Sequence, residues 1–325
     1  MTRRSSKTTA KPRQSPLYPK KMKQHIFGVH LSFNQNLTGI IKRAQELKLS
    51  TFQIFGGNPR QWRSISFAPE NIRSFKRSFK KAKVKKFFLH SIYLINLASK
   101  NDYIYQNSID SLINFMQKAK LLGAEGVITH IGSAREHQDG ESARARVVGA
   151  INEIIVRFSC HSRLDRESIN RMDSRFRGND SKPLLILENT AWGEGELGSS
   201  LEGLAGIYKL VKNKSRVGFC LDTAHLFEAG YNLKTKSGLD NFLQSFDRII
   251  GLNKIRVIHL NDSKTKLNSK HDRHEIIGQG ELGEEAISLI INHPKLISLP
   301  MILETPDLKN EGEIGSLNLV RKIAE

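Results

Sequence analysis

A chain of 325 residues can form one large barrel or two smaller domains, either with a fully buried core. Its 38% hydrophobic content includes no run approaching the roughly 18–20 apolar residues of a membrane span, and two cysteines, Cys160 and Cys220, exclude a disulfide framework. The net charge of +19 favours a polyanionic partner, because Lys and Arg that neutralise phosphates release counterions.

In chain order, residues 1–24 come first. They carry Arg3, Arg4, Lys7, Lys11, Arg13, Lys20, Lys21 and Lys23 with no acid, and lack the apolar core of a secretory signal. Pro12 and Pro16 argue against an amphipathic helix, so a disordered basic tail is expected, and about half of the charge signal is discounted to such segments. From Ile26 onward, short apolar runs alternate with helix-periodic segments. The pattern predicts strands over 26–31, 51–55, 86–90, 126–130, 184–188, 217–222, 256–260 and 300–305. Helices are predicted over 37–48, 69–81, 103–122, 142–158, 200–212, 239–250, 284–291 and 312–324. Eight strands, each followed by a helix, predict an α/β chain with a single (β/α)8 TIM-barrel domain over 25–325. A doubly wound open sheet is the alternative. The count of eight favours the barrel, as does GVHLSFN, which lacks a Gly-rich phosphate fingerprint after the first strand.

The segment 159–182 breaks the rhythm, being polar and basic without a hydrophobic face. It reads as an inserted loop resembling a translated palindromic repeat element of some intracellular bacteria. Joining the fourth helix to the fifth strand, it should emerge at the N-terminal face of the barrel, opposite the face that carries active sites. Cys160 and His161 within it are too few to make a metal site.

Metal-capable side chains fall at strand ends. His90 ends the third strand, His130 the fourth, Glu188 the fifth and Asp222 the sixth, while His259 and Glu304 lie near the ends of the seventh and eighth. Singly, each could be a packed His or a helix-capping carboxylate. Six in succession, converging on one barrel mouth, call for cations, because burying so many carboxylates unneutralised is prohibitive. The mixed donor set suits Zn²⁺ or Mn²⁺ better than Ca²⁺. His225 follows Asp222 by three residues in LDTAHLFEAGY, and Asp272 and His274 of HDRHE would point the same way in an extended loop.

The runs GVHLS, HSIYLINLAS, LILENT, VGFCLDTAHLFEAGY, VIHLNDSK, HDRH, IGQGELG and MILET resemble the endonuclease IV family, in its order, across nearly the whole barrel. The resemblance implies three Zn²⁺ per chain, with Mn²⁺ a substitute at one site. His90, His130 and Glu188 would hold the first ion. Glu188 would bridge to a second ion, held also by Asp222, His259 and Glu304, and His225, Asp272 and His274 would hold the third. Glu188, Asp222 and Glu304 would be the catalytic carboxylates. Arg60 and Gln61 of NPRQW and Tyr93 of HSIYLINL match residues that meet DNA at the lesion; a surface phosphate contact for Arg60 and rim packing for Tyr93 are the plainer readings. The implied reaction hydrolyses the phosphodiester 5′ of an abasic site in duplex DNA, leaving a 3′-hydroxyl and a 5′-deoxyribose phosphate, with 3′-end trimming as a side activity. It is a step of base-excision repair. A monomeric, cytoplasmic bacterial enzyme without membrane association is expected. The sequence departs from the family at THIGS, where a Pro commonly follows the His, and at Glu275, where a second His is common; neither removes a ligand. Two rivals stay open: a sugar isomerase or epimerase of the xylose-isomerase type, using one or two ions, and a non-catalytic nucleic-acid-binding protein. The Asp272/His274 pair, with Arg60 and Tyr93, speaks for the nuclease, and the filled ligand positions speak against decay.

Overall fold

The computed structural model describes residues 25–32, 37–62, 66–137, 139–169, 182–191, 197–306 and 311–324, with backbone alone at 161–169 and 311. The expected tail over 1–24 and positions 170–181 of the expected insertion lie outside the described residues. Eight parallel strands close into a barrel: β1 (Ile26–His30), β2 (Thr51–Phe55), β3 (Lys86–His90), β4 (Gly126–His130), β5 (Leu184–Glu188), β6 (Val217–Asp222), β7 (Ile255–His259) and β10 (Pro300–Leu303). Closure is made by β1, which pairs β2 through Gly28 and Thr51 and β10 through Gly28 and Ile302. A Cβ on Gly28 would collide with the Thr51 carbonyl, so this seam requires glycine. The open-sheet alternative is thereby excluded.

Around the strands lie α1 (Leu37–Glu46), α2 (Pro69–Lys81), α3 (Asp102–Leu122), α4 (Gly140–Ile169), α5 (Leu201–Leu210), α7 (Lys236–Ile249), α8 (Gly283–Ile291) and α9 (Glu311–Lys322). Local chemistry sets their limits. Asn101 caps α3 by accepting the N–H groups of Tyr103 and Ile104, and Gly123 ends it at φ 89°. Pro69 opens α2, which buries Ile72 and Phe75. Two elements at the barrel mouth have no counterpart in the sequence pattern: α6 (Thr223–Ala229), and an antiparallel ladder of β8 (Asp262–Ser263) with β9 (His274–Glu275). Among the described residues, no helix is long and apolar enough to cross a membrane.

The fourth helix corrects one boundary. It was expected to end at 158, yet α4 runs to Ile169, so 159–169 is helical rather than loop. Residues 159–169 contain neither Pro nor Gly, so no breaker stops a helix already under way.

Strand alternation builds the site. A small inner core of Phe88, Ile128, Ile186, Cys220, Val257 and Ile302 fills the barrel axis. Two residues further along each chain, with side chains on the same face, stand His90, His130, Glu188, Asp222, His259 and Glu304. The apolar layer is the floor on which the polar cluster rests.

Candidate metal centre

Glu188, fully buried, lies at the middle. Its Oε2 is 3.1 Å from Nε2 of both His90 and His130, and its Oε1 is 2.7 Å from Nδ1 of His259. Nδ1 of His259 also lies 3.2 Å from Glu304 and 3.9 Å from Asp222. From the short helix α6, His225 turns Nε2 to within 3.3 Å of Asp272, and His274 on β9 brings its Nε2 to 3.7 Å from both Asp272 and Asp222.

The proton positions are informative. A backbone carbonyl can only accept, so three rings must carry their proton on Nδ1: His90 donates to the Ser91 carbonyl (2.8 Å), His225 to that of Asn189 (2.9 Å) and His274 to that of Glu304 (3.3 Å). In the neutral form these rings present bare Nε2 lone pairs to carboxylate oxygens, and the repulsion is relieved by a metal ion or by a second proton. Nε2 of His225 and of His274 are buried with no hydrogen-bond partner among the described residues. His259 is set the other way: its Nε2 donates to Oε1 of Gln53 (2.9 Å), so a bare Nδ1 faces three carboxylates. Lone pair against lone pair is repulsive unless a cation stands between, and a carbonyl-anchored imidazole is the usual preparation of a metal-ligating His. The residues therefore fit a metal centre.

Titration expresses the same demand for positive charge. Burial lowers the affinity of His225 and His259 for a proton, but the Asp222 and Asp272 carboxylates beside the first, and Glu188 and Glu304 beside the second, hold both well above the ordinary imidazole range. Conversely, burial disfavours the charge on Glu188, yet His259 and His130 hold its carboxyl well below the usual range. Asp272 and Glu304 are also held low, against burial, by their neighbouring imidazoles.

All nine expected ligands meet at one mouth, with a grouping that differs in part from the expectation. Glu188, Asp222, His259 and Glu304, the set named for the second ion, offer atoms within 4.8 Å of one another. The first set is split: His90 closes with Glu188 and His259, and His130 with Glu188 and His225. In the third, His225 and His274 close with Asp222. Asp272, 37% exposed in its side chain, contacts both rings from the outer side.

Several residues at the site escaped the sequence reading. Gln53 of β2 donates Nε2 to Glu304 and accepts from His259, and so ties two ligands together. His30 ends β1 in the same inward phase as the other strand-end residues and lies 3.4 Å from Glu304, a position that the same rule would have found. Asn261 donates to Asp222 (2.6 Å) and accepts from the Glu304 N–H (2.8 Å). Glu228 accepts from the hydroxyls of Ser263 and Thr265 and from the Arg273 N–H, which fixes the loop of Asp272 and His274 onto α6.

On the rim, Arg60 and Gln61 are exposed, and Tyr93 is 67% exposed with its ring edge-on to Phe55. The Tyr93 N–H donates to the Pro59 carbonyl (3.0 Å), so the two loops bearing these three residues are joined.

A family model described as a xylose isomerase-like TIM barrel matches residues 41–322. A protein of Halothermothrix orenii named probable endonuclease 4 is 36% identical over 91% of this chain and 99% of its own length. The crystal structure of endonuclease IV from Thermus thermophilus is 31% identical with a TM-score of 0.75, covering 92% of this chain and 98% of that one. A D-tagatose 3-epimerase-like protein, 18% identical over 92% of this chain and 96% of its own, with a TM-score of 0.64, shares the fold alone.

Proposed function

The chain belongs to the endonuclease IV family, and from that premise we propose that it cleaves the phosphodiester 5′ of abasic sites in duplex DNA. Trimming of blocked 3′ ends is the accompanying side activity. The single observation that carries a metal-assisted hydrolase is the set of bare imidazole nitrogens turned against buried carboxylates. His90, His130 and Glu188 are assigned to one zinc, Glu188, Asp222, His259 and Glu304 to a second, and His225, Asp272 and His274 to a third. Asp222 reaches the third group as well, and Mn²⁺ is an acceptable substitute at one position. Bound zinc would acidify water towards a pKa of about 7 and neutralise phosphate charge.

The chain's own residues do the rest. Glu188 and Asp222 are both fully buried, so solvent cannot satisfy their carboxyl groups. Glu304, with 19% of its side chain exposed, is the most open of these three carboxylates and can orient an entering water by accepting its hydrogen bond at an Oε atom. Arg60, Gln61 and Tyr93 stand where a duplex lying over the mouth would touch, Arg60 as a phosphate or base-edge donor and Tyr93 as a stacking surface. Selectivity would come from deformability, since a missing base lowers the cost of kinking and extruding the nucleotide.

The test is a duplex carrying one abasic site beside an intact control. The zinc-loaded protein is expected to nick only the first, and Glu188→Gln to abolish nicking with its circular dichroism unchanged. Elemental analysis is expected to give about three zinc per chain. One or two ions with no nicking would favour the epimerase chemistry of related barrels.

A further inference from the structure

The sequence 69–86 carries eight cations and a single acid, Glu70, giving it +7 of the chain's +19. With +8 in residues 1–24, little net charge is left for the rest of the barrel. Most of these cations are on α2. Arg73, Lys76, Arg77, Lys80, Lys81 and Lys83 are exposed, and none forms an ion pair among the described residues. At 3.6 residues per turn, Arg73, Arg77, Lys80 and Lys81 fall within an arc of about 100° on the flank turned away from the buried Ile72 and Phe75, and Asn71, Ser74 and Ser78 lie between the two. In a parallel barrel α2 runs from the mouth down the outer wall, over about 20 Å at 1.5 Å per residue. Its first turn follows the loop that presents Arg60 and Gln61.

We propose that this flank of α2 is a second duplex-binding surface, which takes the phosphate backbone of DNA that extends past the mouth. The proposal rests on the reading of the Arg60 rim as a duplex-binding edge and prolongs it down the wall. Charge complementarity selects the ligand: a ladder of exposed Arg and Lys matches a regular polyanion and carries no sequence preference. A lipid surface fits less well. An interfacial helix needs exposed apolar residues, and α2 contributes none to the exposed large hydrophobics, because its apolar side is spent on the barrel.

The experiment uses the full zinc-loaded chain in three forms: wild type, the quadruple variant Arg73→Gln, Arg77→Gln, Lys80→Gln, Lys81→Gln, and a charge-matched control, Lys209→Gln, Lys212→Gln, Lys234→Gln, Lys295→Gln. Binding to a lesion-free duplex is followed over a salt series, with nicking of an abasic duplex and binding to phosphatidylglycerol vesicles in parallel. At about 0.9 in log–log slope per phosphate contact, the α2 variant should have a slope shallower by up to about 3.6, and the control should not. Equal slopes in all three forms overturn the proposal, as does loss of vesicle binding with duplex binding intact. The two readings separate cleanly. A wild type that never nicks but has an α2-dependent slope discards the abasic-site activity and keeps the surface; one that nicks, with a slope indifferent to α2, does the reverse.

Discussion

Gln53 shows how much a neutral side chain can govern in a centre of charged ones. Its amide oxygen fixes the proton of His259 on Nε2, and its NH₂ group steadies Glu304, so both groups face inward before any ion arrives. Gln53→Leu keeps the bulk and loses the orientation. Zinc affinity measured by chelator competition is expected to fall about 10–100-fold, and an unchanged affinity would remove the residue from this role. Glu228 makes a different prediction. Burial pushes its carboxyl up to about 7, from an ordinary value of 4.5, and its Oε2 has no partner among the described residues. Folding thus retains a proton that the unfolded chain releases, and the stability this confers is full below about 4.5 and lost as pH rises through about 7. Glu228→Gln imitates the protonated form, so its thermal midpoint should gain on wild type between pH 5 and 8. A constant difference across that range would contradict the assignment. Neither residue was legible in the sequence. A Gln inside a strand and a Glu inside LFEAGY have no periodicity that marks them, whereas His90, His130, Glu188, Asp222 and His259 were legible because strand alternation puts strand-end residues in phase with the apolar floor.

Among the elements, most barrel strands followed their patterns and the short elements at the mouth did not. Five of the eight barrel strands have the predicted limits, since each is a compact β-branched or aromatic run between turn signals. α6 spans seven residues and is held by local chemistry, with Asp222 accepting the His225 N–H and Gly230 closing the end at φ 112°, too brief for a helical period to show. The turn IGQGELG is organised by an acid well before it in sequence: Asp262 accepts the N–H groups of Gly278, Gly280 and Leu282, at 2.9, 3.1 and 3.0 Å. α3 acts at a distance through Lys118. Its buried Nζ donates to the Gly56 carbonyl (2.8 Å) between the rings of Phe67 and Phe115, anchoring the loop that continues to Arg60. Burial brings this amine down to about 8. Lys118→Met removes a desolvated charge and the anchor together. The thermal midpoint should hold or rise, while KM for abasic duplex rises about fivefold at nearly constant kcat, the weight of one hydrogen bond of ~1 kcal/mol. An unmoved KM would leave Lys118 a packing residue only.

At the scale of the whole molecule, alternation of strands and helices sufficed to indicate a barrel, but closure depended on one contact the pattern does not contain, the tight seam at Gly28. Of the charge, the basic stretch 1–24 was legible in the sequence and the rest only in sum. Once the fold is known, the segment 69–86 becomes a single outer wall rather than part of a bulk excess. With six apolar side chains plugging the axis below and a duplex lying over the mouth above, zinc would have one way out, and the substrate would be standing in it. Extraction by a chelator should accordingly be slower from protein held on uncleaved duplex than from free protein, and equal rates would mean that ions escape by another route. The centre would then be a blind-ended chamber, its cargo guarded by the molecule it works on.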